Sequence, residues 1–186
     1  MILSNNIPTA AKGLQEKLNP GDIEIVWHRL ISFMDEAMMT MMRTAYSATI
    51  RESRDLTVVL FDPKGRAVAE CTSANASFIG TLPRSMQAFL KAKPADAWQV
   101  GDCLITNDPW IGAGHLQDIT MASPIFLEDT LFGFVLIAAH GPDIGGGLYS
   151  ALSREIFEEG LRIPICHYAK AGVRDSLVHD FIVSNV

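Results

Sequence analysis

The feature that most constrains the fold is a pair of apolar segments joined by a short polar turn. ITMASPIF (119–126) and LFGFVLIAAH (131–140) flank the tetrapeptide LEDT, and this arrangement predicts a β-hairpin. Because an antiparallel hairpin returns the chain to the edge from which it started, the residues at its open end must lie side by side. The strands begin just after Asp118 and end at His140, so the sequence predicts that two His/Asp pairs, His115/Asp118 and His140/Asp143, lie side by side.

Both loops at the open end of this hairpin contain a histidine followed three residues later by an aspartate. NDPWIGAGHLQD (107–118) contributes His115 and Asp118, and HGPDIGG contributes His140 and Asp143. Imidazole nitrogens and carboxylate oxygens are ligands that Zn²⁺, Mn²⁺ and Fe²⁺ accept in sites that keep positions open for water or substrate. We interpret this set, with Asp108 nearby, as a metal site.

A second interpretation of the same residues needs no ion. Asp108 and Asp118 would then be turn residues, and His140 would be a strand-end histidine bonded to the backbone. The surrounding glycines favour the metal interpretation, because glycine lets the backbone approach a ligand closely. These glycines are Gly112, Gly114, Gly145, Gly146 and Gly147. The sequence does not distinguish between Zn²⁺, Mn²⁺ and Fe²⁺ as the bound ion.

The N-terminal part of the chain predicts one long helix over residues 22–53, because its apolar residues keep helical spacing and no Pro or Gly interrupts them. Asp22 is the predicted N-cap. A methionine stripe along this helix either fills the core, as Met does in irregular gaps, or packs against another subunit. The stripe consists of Met34, Met38, Met39, Met41 and Met42.

The remaining segments predict short elements separated by glycine, proline and polar clusters. In the loop over 141–164, Glu158 and Glu159 are interpreted as a solvated pair. The predicted elements are a hairpin over 56–62 and 66–71, a helix over 84–92, a strand over 100–108, a helical turn at 154–159 and a final helix over 174–186.

Together these elements predict an α+β fold, in which a long N-terminal helix packs on antiparallel β-hairpins and glycine-rich loops carry the site. Residues 1–20 form an N-terminal extension in this interpretation, and residues 21–186 form the domain. The final helix lacks a C-cap and still runs when the chain stops, which suggests the front part of something larger.

Composition and charge argue against several classes of protein. A net charge of −6, with no face rich in Lys and Arg, argues against a nucleic-acid partner. The longest apolar run, 131–139, is too short to span a membrane. Because the chain starts without the basic and apolar regions of a signal peptide, a cytoplasmic location is expected. Cys71, Cys103 and Cys166 are expected to be buried free thiols of a reducing compartment.

Two glycine-rich motifs are incomplete as nucleotide sites. GPDIGGG lacks the Gly-Lys-Ser/Thr of a phosphate loop, and GAGHLQD lacks the third glycine of a dinucleotide fold. ATP binding is therefore not expected of this chain. The other histidines, His28, His167 and His179, are expected to be structural or exposed.

Three longer motifs follow one another in this chain: NDPWIGAGHLQDIT, AAHGPDIGG and SREIFEEGLRIPI. In order and in separation they resemble the N-terminal part of the hydantoinase B/oxoprolinase family. RESRDLTVVLFDPKGRAVAE and VHDFIVSNV are similar to the family as well, so the resemblance covers roughly residues 20–186. The family includes the B-type subunits of ATP-dependent hydantoinases, 5-oxoprolinase, caprolactamase, and the acetone and acetophenone carboxylases.

The resemblance implies that the reaction is divided between subunits. An A-type subunit binds ATP and phosphorylates the substrate, and the B-type subunit completes the reaction at a bound metal. Residues 21–186 would be the N-terminal, metal-binding part of a B-type subunit. Its expected partners are the A-type subunit, the remainder of the B-type subunit and a small-molecule substrate.

The family motifs assign roles to individual residues. By this resemblance His115, Asp118 and His140 are the metal ligands. Asp108 and Asp143 are the second choices, either as a further ligand or as catalytic, orienting groups beside the ion. The implied reaction is ATP-dependent opening of a cyclic amide, such as a hydantoin, an oxoproline or a lactam, by water that the metal activates.

Two alternatives and two departures accompany this assignment. An acetone- or acetophenone-type carboxylase is one alternative, and a non-catalytic assembly subunit is the other. Where many relatives carry a histidine in a PVHLG-like segment, this chain has ASFIG, with Phe78 at that place. The relatives are also much longer than this chain.

Overall fold

The computed structural model describes residues 19–112, 114–147 and 152–186. The predicted N-terminal extension, residues 1–20, lies outside the described residues except for its last two. The helices are α1 (Pro20–Thr44), α2 (Ala48–Ser53), α3 (Leu82–Ala92) and α4 (Ser176–Val183), with 3₁₀ turns at Ala95–Ala97 and Ile156–Glu158. The strands are β1 (Leu56–Phe61), β2 (Ala67–Glu70), β3 (Cys103–Thr106), β4 (Asp118–Leu127), β5 (Thr130–His140), β6 (Cys166–Lys170) and β7 (Val173–Arg174).

The described strands form one antiparallel sheet in the order β2-β1-β5-β4-β3-β6-β7. The β4–β5 hairpin lies at its centre, and Asp118 is paired with His140 at the open end of that hairpin. The predicted hairpin and the predicted α+β fold are therefore confirmed. The first predicted hairpin, β1–β2, and the helix α3 are also present.

One face of the sheet packs against α3. Side chains alternate between the two faces along a strand, which places Phe134, Leu136 and Ala138 of β5 on this side. Met86 and Phe89 of α3 join them in one cluster, and all five residues have a relative exposure of 0%. Burying one such Phe, Leu or Met side chain stabilises a fold by roughly 1.5–3 kcal/mol. This layer of packed side chains therefore fixes the position of the β4–β5 hairpin next to its open end.

The opposite face packs against α1 through the methionine stripe. Met34 and Met38 are buried against β1, and Met41 and Met42 pack at the margin of the same cluster. Met39 points away and is 42% exposed. Core packing therefore accounts for four of the five methionines in the stripe.

The prediction of one helix over 22–53 is wrong near its C-terminal end. α1 ends at Thr44, and Ala45 adopts extended backbone with ψ 139°. Ser47 then caps the separate helix α2, because its hydroxyl accepts a hydrogen bond from the Ile50 N–H. Neither Pro nor Gly marks this break, so hydrophobic periodicity could not locate it.

The predicted N-cap of the first helix is also wrong. Asn19 is the N-cap, and its Oδ1 accepts the Asp22 N–H at 3.1 Å. Asp22 Oδ2 accepts the Asn19 N–H at 3.2 Å in return, so the two residues form a capping box. Pro20 takes the first helical position, where its missing N–H costs no helical hydrogen bond.

The region around β3 differs most from the sequence prediction. β3 covers four residues instead of the predicted 100–108, and the strands β6 and β7, which complete this edge of the sheet, were not predicted. Arg174 belongs to β7, so the last helix begins later than predicted, after the N-cap Asp175, and it ends at Val183. Among the described helices, none is both long and apolar enough to cross a membrane.

Candidate metal centre

Three side chains meet at the open end of the β4–β5 hairpin. Asp118 is the first residue of β4, His140 is the last residue of β5, and His115 lies in the loop before β4. One ligand atom of each side chain lies within 4.8 Å of the other two. Asp118 Oδ2 lies 2.9 Å from His115 Nε2, and Asp118 Oδ1 lies 3.1 Å from His140 Nδ1. The carboxylate thus bridges the two imidazole rings.

Burial and charge distinguish these three side chains. Asp118 and His140 are 4% and 3% exposed, but the His115 side chain is 40% exposed. The hydrogen bond between His115 and the Asp118 carboxylate raises the pKa of His115; burial opposes this rise, and the charges of Asp118, Glu159 and Asp55 add to it. The surroundings of His115 therefore favour a positive charge, and the group is accessible from the His115 side.

Asp55 is a further acidic residue beside the group. It directly precedes β1, and the pairing of β1 with β5 places its Oδ2 3.7 Å from His140 Nδ1. Its carbonyl accepts the His140 N–H at 3.0 Å, and its Oδ1 accepts a hydrogen bond from Asn75 Nδ2 at 2.5 Å. Sequence reasoning missed Asp55; its position immediately before a strand is a signal that becomes useful once the β1–β5 pairing is known.

The two predicted catalytic aspartates lie outside the group of three. Asp108 is buried, its Oδ2 accepts hydrogen bonds from the Arg162 guanidinium, and its Oδ1 accepts the Trp110 N–H at 3.0 Å. Asp143 is exposed, and its Oδ1 accepts the Gly145 N–H at 2.8 Å. Each aspartate therefore holds one of the two glycine-rich loops.

Asn107 ties the His115 loop to the segment 161–163. Its side chain is fully buried, and Nδ2 donates to the carbonyls of Leu116 and Leu161, each at 2.8 Å. Its Oδ1 accepts the Ile163 N–H at 2.6 Å. A buried amide bonded to three backbone groups holds them in one arrangement. The network lies directly after Thr106, where β3 ends.

The interpretation of Glu158 and Glu159 as a solvated pair is wrong for Glu159. Glu158 is exposed, but Glu159 is partly buried, and its Oε2 accepts the Leu116 N–H at 3.3 Å. Its carbonyl accepts a hydrogen bond from Gln117 Nε2 at 3.5 Å. Both contacts fall between His115 and Asp118, so Glu159 supports the segment that carries two of the three candidate ligands.

The remaining residues singled out in the sequence have structural surroundings. Cys71, Cys103 and Cys166 are free thiols, and burial raises the pKa of Cys103 and of Cys166. Cys71 is buried, and the other two are partly exposed. Phe78, where the resemblance led us to look for a histidine, is 1% exposed and belongs to the hydrophobic cluster that contains Met86 and Phe89 of α3.

The other three histidines are exposed or structural, as predicted. His28 is exposed on α1. His167 Nε2 lies 3.5 Å from Lys93 Nζ, and His179 Nδ1 lies 3.1 Å from the Tyr168 hydroxyl. Within the described ranges, none of the three belongs to the His–Asp–His group.

Comparison with known proteins identifies related sequences over nearly the whole described chain. The family model Hydantoinase B/oxoprolinase matches residues 19–186. The 5-oxoprolinase PfmaA of Pestalotiopsis fici is 32% identical over 164 residues, which are 84% of this chain and 12% of that protein. A putative B-type subunit of a D-/L-hydantoinase from a Pseudomonas species is 27% identical over 179 residues, 92% of this chain and 30% of that protein.

Two solved structures share the fold. The ATP-dependent caprolactamase of Pseudomonas jessenii superposes with a TM-score of 0.80 and 25% identity, covering 91% of this chain and 30% of that one. A nucleotide-free acetone carboxylase gives a TM-score of 0.77 and 22% identity, covering 93% and 23%. The chain thus spans between 12% and 30% of the length of these proteins.

Proposed function

Because the chain belongs to the hydantoinase B/oxoprolinase family, we propose that it is the metal-bearing part of a B-type subunit of an ATP-dependent cyclic-amide hydrolase. The observation that carries the proposal is the convergence of His115, Asp118 and His140 at one end of a hairpin. The names 5-oxoprolinase, hydantoinase and caprolactamase among similar proteins support a hydantoin, an oxoproline or a lactam as substrate.

The donor atoms of this group fit a divalent transition metal. Two imidazole nitrogens and a carboxylate oxygen, all within 4.8 Å of one another, are ligand types of Zn²⁺, Mn²⁺ and Fe²⁺. The partial exposure of His115 keeps one side of the group open, as a catalytic metal site requires. A bound ion of this kind would supply a Lewis acid that polarises a carbonyl and lowers the pKa of water.

The surrounding residues have positioning roles in this proposal. Asp55, fixed by Asn75, holds His140 through its carbonyl and carboxylate. Asp108 and Asp143, the predicted catalytic residues, act by holding the two loops. Neighbours of this kind set the orientation of metal ligands and thereby the affinity for the ion.

We assign the use of ATP to an A-type partner subunit. Gly146 packs against the segment 158–160 so closely that a Cβ would lie 2.3 Å from the Glu159 carbonyl carbon. Backbone packing therefore accounts for the glycine at position 146. Since the chain spans at most 30% of the relatives' length, the remainder of a B-type subunit is proposed as a second partner.

Metal analysis of the assembled protein tests the site. We expect about one transition-metal ion per chain, and its loss in His115→Ala and in His140→Ala, because each substitution removes one of three ligands. His28→Ala is the matched control, since the His28 side chain is 67% exposed on α1. A correctly assembled complex that contains no metal contradicts the proposal.

Substrate-dependent ATP hydrolysis separates the proposed activity from its alternatives. Stimulation of the assembled complex by a cyclic amide is the expected result. Stimulation by a ketone instead identifies an acetone- or acetophenone-type carboxylase. A complex that contains no metal and responds to neither substrate class indicates a non-catalytic assembly subunit.

A further inference from the structure

Thr120, in the central strand β4, has a buried hydroxyl that no described residue uses. The residue is 0% exposed, and its Oγ1 makes no hydrogen bond within residues 19–112, 114–147 and 152–186. Its pairing partner on β3, Thr106, is equally buried, but the Thr106 hydroxyl donates to the Ile163 carbonyl at 2.8 Å and accepts the Asp108 N–H at 3.2 Å. A buried hydroxyl without a partner destabilises a fold, so the one on Thr120 requires a reason.

The Thr120 side chain lies on the same face of the sheet as the Asp118 carboxylate. Side chains two residues apart on a strand share a face, and in β4 the residues Asp118, Thr120 and Ala122 are buried while those between them are partly exposed. Two residues of a strand span about 7 Å. A hydroxyl and a carboxylate whose backbones are that far apart can meet directly or through one water.

The surroundings of the Thr120 hydroxyl leave it accessible from the loop that carries His115. Its neighbour on β5 is Ala138, which has only a methyl group. In the loop before β4, a Cβ at Gly112 would lie 3.3 Å from Thr120 Oγ1, which is closer than an ordinary contact. Glycine at position 112 therefore keeps a side chain from crowding this hydroxyl.

The present hydrogen bonds of Asp118 cannot all persist in a metal-bound site. Its Oδ2 lies 2.9 Å from His115 Nε2, and its Oδ1 lies 3.1 Å from His140 Nδ1. An imidazole nitrogen that ligates a metal uses its lone pair for the bond, so the same atom cannot donate a hydrogen bond. Carboxylates that ligate a metal are themselves hydrogen-bonded to neighbouring groups. Asp118 therefore needs another donor once the two histidines act as ligands.

We propose that Thr120 is a positioning residue of the candidate metal centre. Its hydroxyl donates to the Asp118 carboxylate, directly or through one water, when His115 and His140 ligate the ion. The proposal rests on the proposed function and adds a residue to its site. It also gives the reason for the buried hydroxyl, because a group that finds its partner only in the metal-bound state lowers the stability of the metal-free fold and raises the affinity for the ion.

Two substitutions of Thr120 separate the hydroxyl from the packing of the side chain. Thr120→Val keeps the branched shape and removes the hydroxyl, whereas Thr120→Ser keeps the hydroxyl. Competition with a chelator measures the metal affinity of the assembled protein. We expect the affinity to fall about tenfold in Thr120→Val and to stay near the wild-type value in Thr120→Ser. Unchanged affinity in Thr120→Val overturns the proposal, and so does an equal loss in both variants.

A double-mutant cycle tests whether Thr120 acts through Asp118. Asp118→Ala removes the acceptor, so the loss of the Thr120 hydroxyl should then have little further effect. In that background we expect Thr120→Val to change the metal affinity by less than about twofold. A further tenfold loss would show that Thr120 acts independently of Asp118, against the proposed role.

Denaturant titration of the metal-free protein provides a measurement that does not depend on the ion. Thr120→Val should raise the denaturation midpoint, because it removes an unpaired buried hydroxyl. Thr57→Val is the matched control, since Thr57 is also 0% exposed in a strand but its hydroxyl donates to Glu70 Oε1 at 3.2 Å. Its midpoint should fall. A lower midpoint in Thr120→Val as well would show that the hydroxyl already has a partner, and the proposal would be wrong.

The same samples distinguish the failure of this proposal from the failure of the proposed function. An assembled wild-type protein that contains no metal contradicts the proposed function, and the role of Thr120 with it. A wild-type protein that contains metal, together with unchanged affinity in Thr120→Val, contradicts the assignment of Thr120 alone.

Discussion

Two buried aspartates in this protein lie in clusters that contain histidine, and their surroundings differ. Asp118 is 4% exposed and lies 2.9 and 3.1 Å from the nitrogens of His115 and His140. Asp102 is 3% exposed and lies 2.6 Å from Lys93 Nζ, with the ring of His167 on the other side of the lysine. Both clusters therefore combine a buried aspartate with at least one histidine.

The partners of each carboxylate decide what it can do. Asp102 accepts hydrogen bonds from Lys93 Nζ and from the N–H groups of Gln99 and Ala171, at 2.9 and 3.0 Å. These fixed donors and a permanent cation leave no place for a metal ion, so Asp102 clamps two loops together. The partners of Asp118 are imidazoles, which can release a proton and bind a metal. A buried aspartate near a histidine is therefore a candidate ligand only when its other partners can be displaced.

Replacing Asp102 should have the largest effect, a loss of folding stability. Asp102→Ala leaves the Lys93 charge without its partner, and the Lys93 side chain is only 15% exposed. Removing one member of a buried ion pair costs about 3–5 kcal/mol, so we expect a loss of that size in the free energy of unfolding. Denaturant titration measures it. Metal content should be unchanged in the fraction that folds, and loss of metal there would mean that the two clusters are coupled.

Replacing Asp118 at the candidate site should instead lower the affinity for a metal ion. Asp118→Asn keeps the side-chain shape and removes the carboxylate that bridges His115 and His140. We expect the metal affinity to fall by about 100-fold, roughly 2.7 kcal/mol, while circular dichroism shows a retained fold. Competition with a chelator measures the affinity. Unchanged affinity in Asp118→Asn would remove Asp118 from the ligand set.

Replacing Asp55, which lies beside the candidate ligand His140, should have a smaller effect on metal binding. Asp55→Asn weakens the hold on His140 without removing one of the three ligands, so the metal affinity should fall by about tenfold. Asp62→Asn is the matched control, because Asp62 follows the other end of β1 and bonds to Arg66. Equal affinities in the two variants would show that Asp55 does not support His140.

The smallest effect is the pH dependence of the stability that the Asp102 carboxylate contributes. Burial works against the ionised form of Asp102, but the hydrogen bonds from Lys93, Gln99 and Ala171 and the charge of Lys93 outweigh it, so its pKa is lowered. A lowered folded-state pKa adds stability above the unfolded value of about 3.9, and this stability is lost as the pH falls through the folded pKa.

The difference in unfolding free energy between the wild type and Asp102→Asn measures this contribution. Titration from about pH 6 to about pH 2 with a chelator present keeps the metal site from contributing. The difference should be constant above about pH 5 and shrink below it. A difference that does not change over this range would show that ionisation of Asp102 does not stabilise the fold.

The proximity of His115, Asp118 and His140 was predictable because it depends on short-range order. Their choice as ligands over Asp143 came from the family resemblance. A hairpin with a four-residue turn dictates which residues meet at its open end, so the pairing of Asp118 with His140 follows from the positions of two strands. His115 is three residues from Asp118, close enough for its ring to reach the same carboxylate. The packing of α1 on the sheet also follows from its apolar spacing.

The supporting residues were not predictable from the same reasoning. Asp55 reaches His140 because β1 pairs with β5, two strands separated by more than 60 residues. Glu159 reaches Leu116 because the segment 158–163 folds back on the His115 loop. Ordinary sequence patterns do not encode such pairings, since any apolar strand can pair with several others.

By itself the sequence determined the central hairpin, the convergence of His115, Asp118 and His140, and the resemblance to a family. Its spacing acts through the fixed geometry of strands and turns. Only the tertiary structure decided which acidic residues support that group and that the first helix ends at Thr44. Those features depend on strand order and on backbone packing between distant segments, which a one-dimensional pattern does not specify.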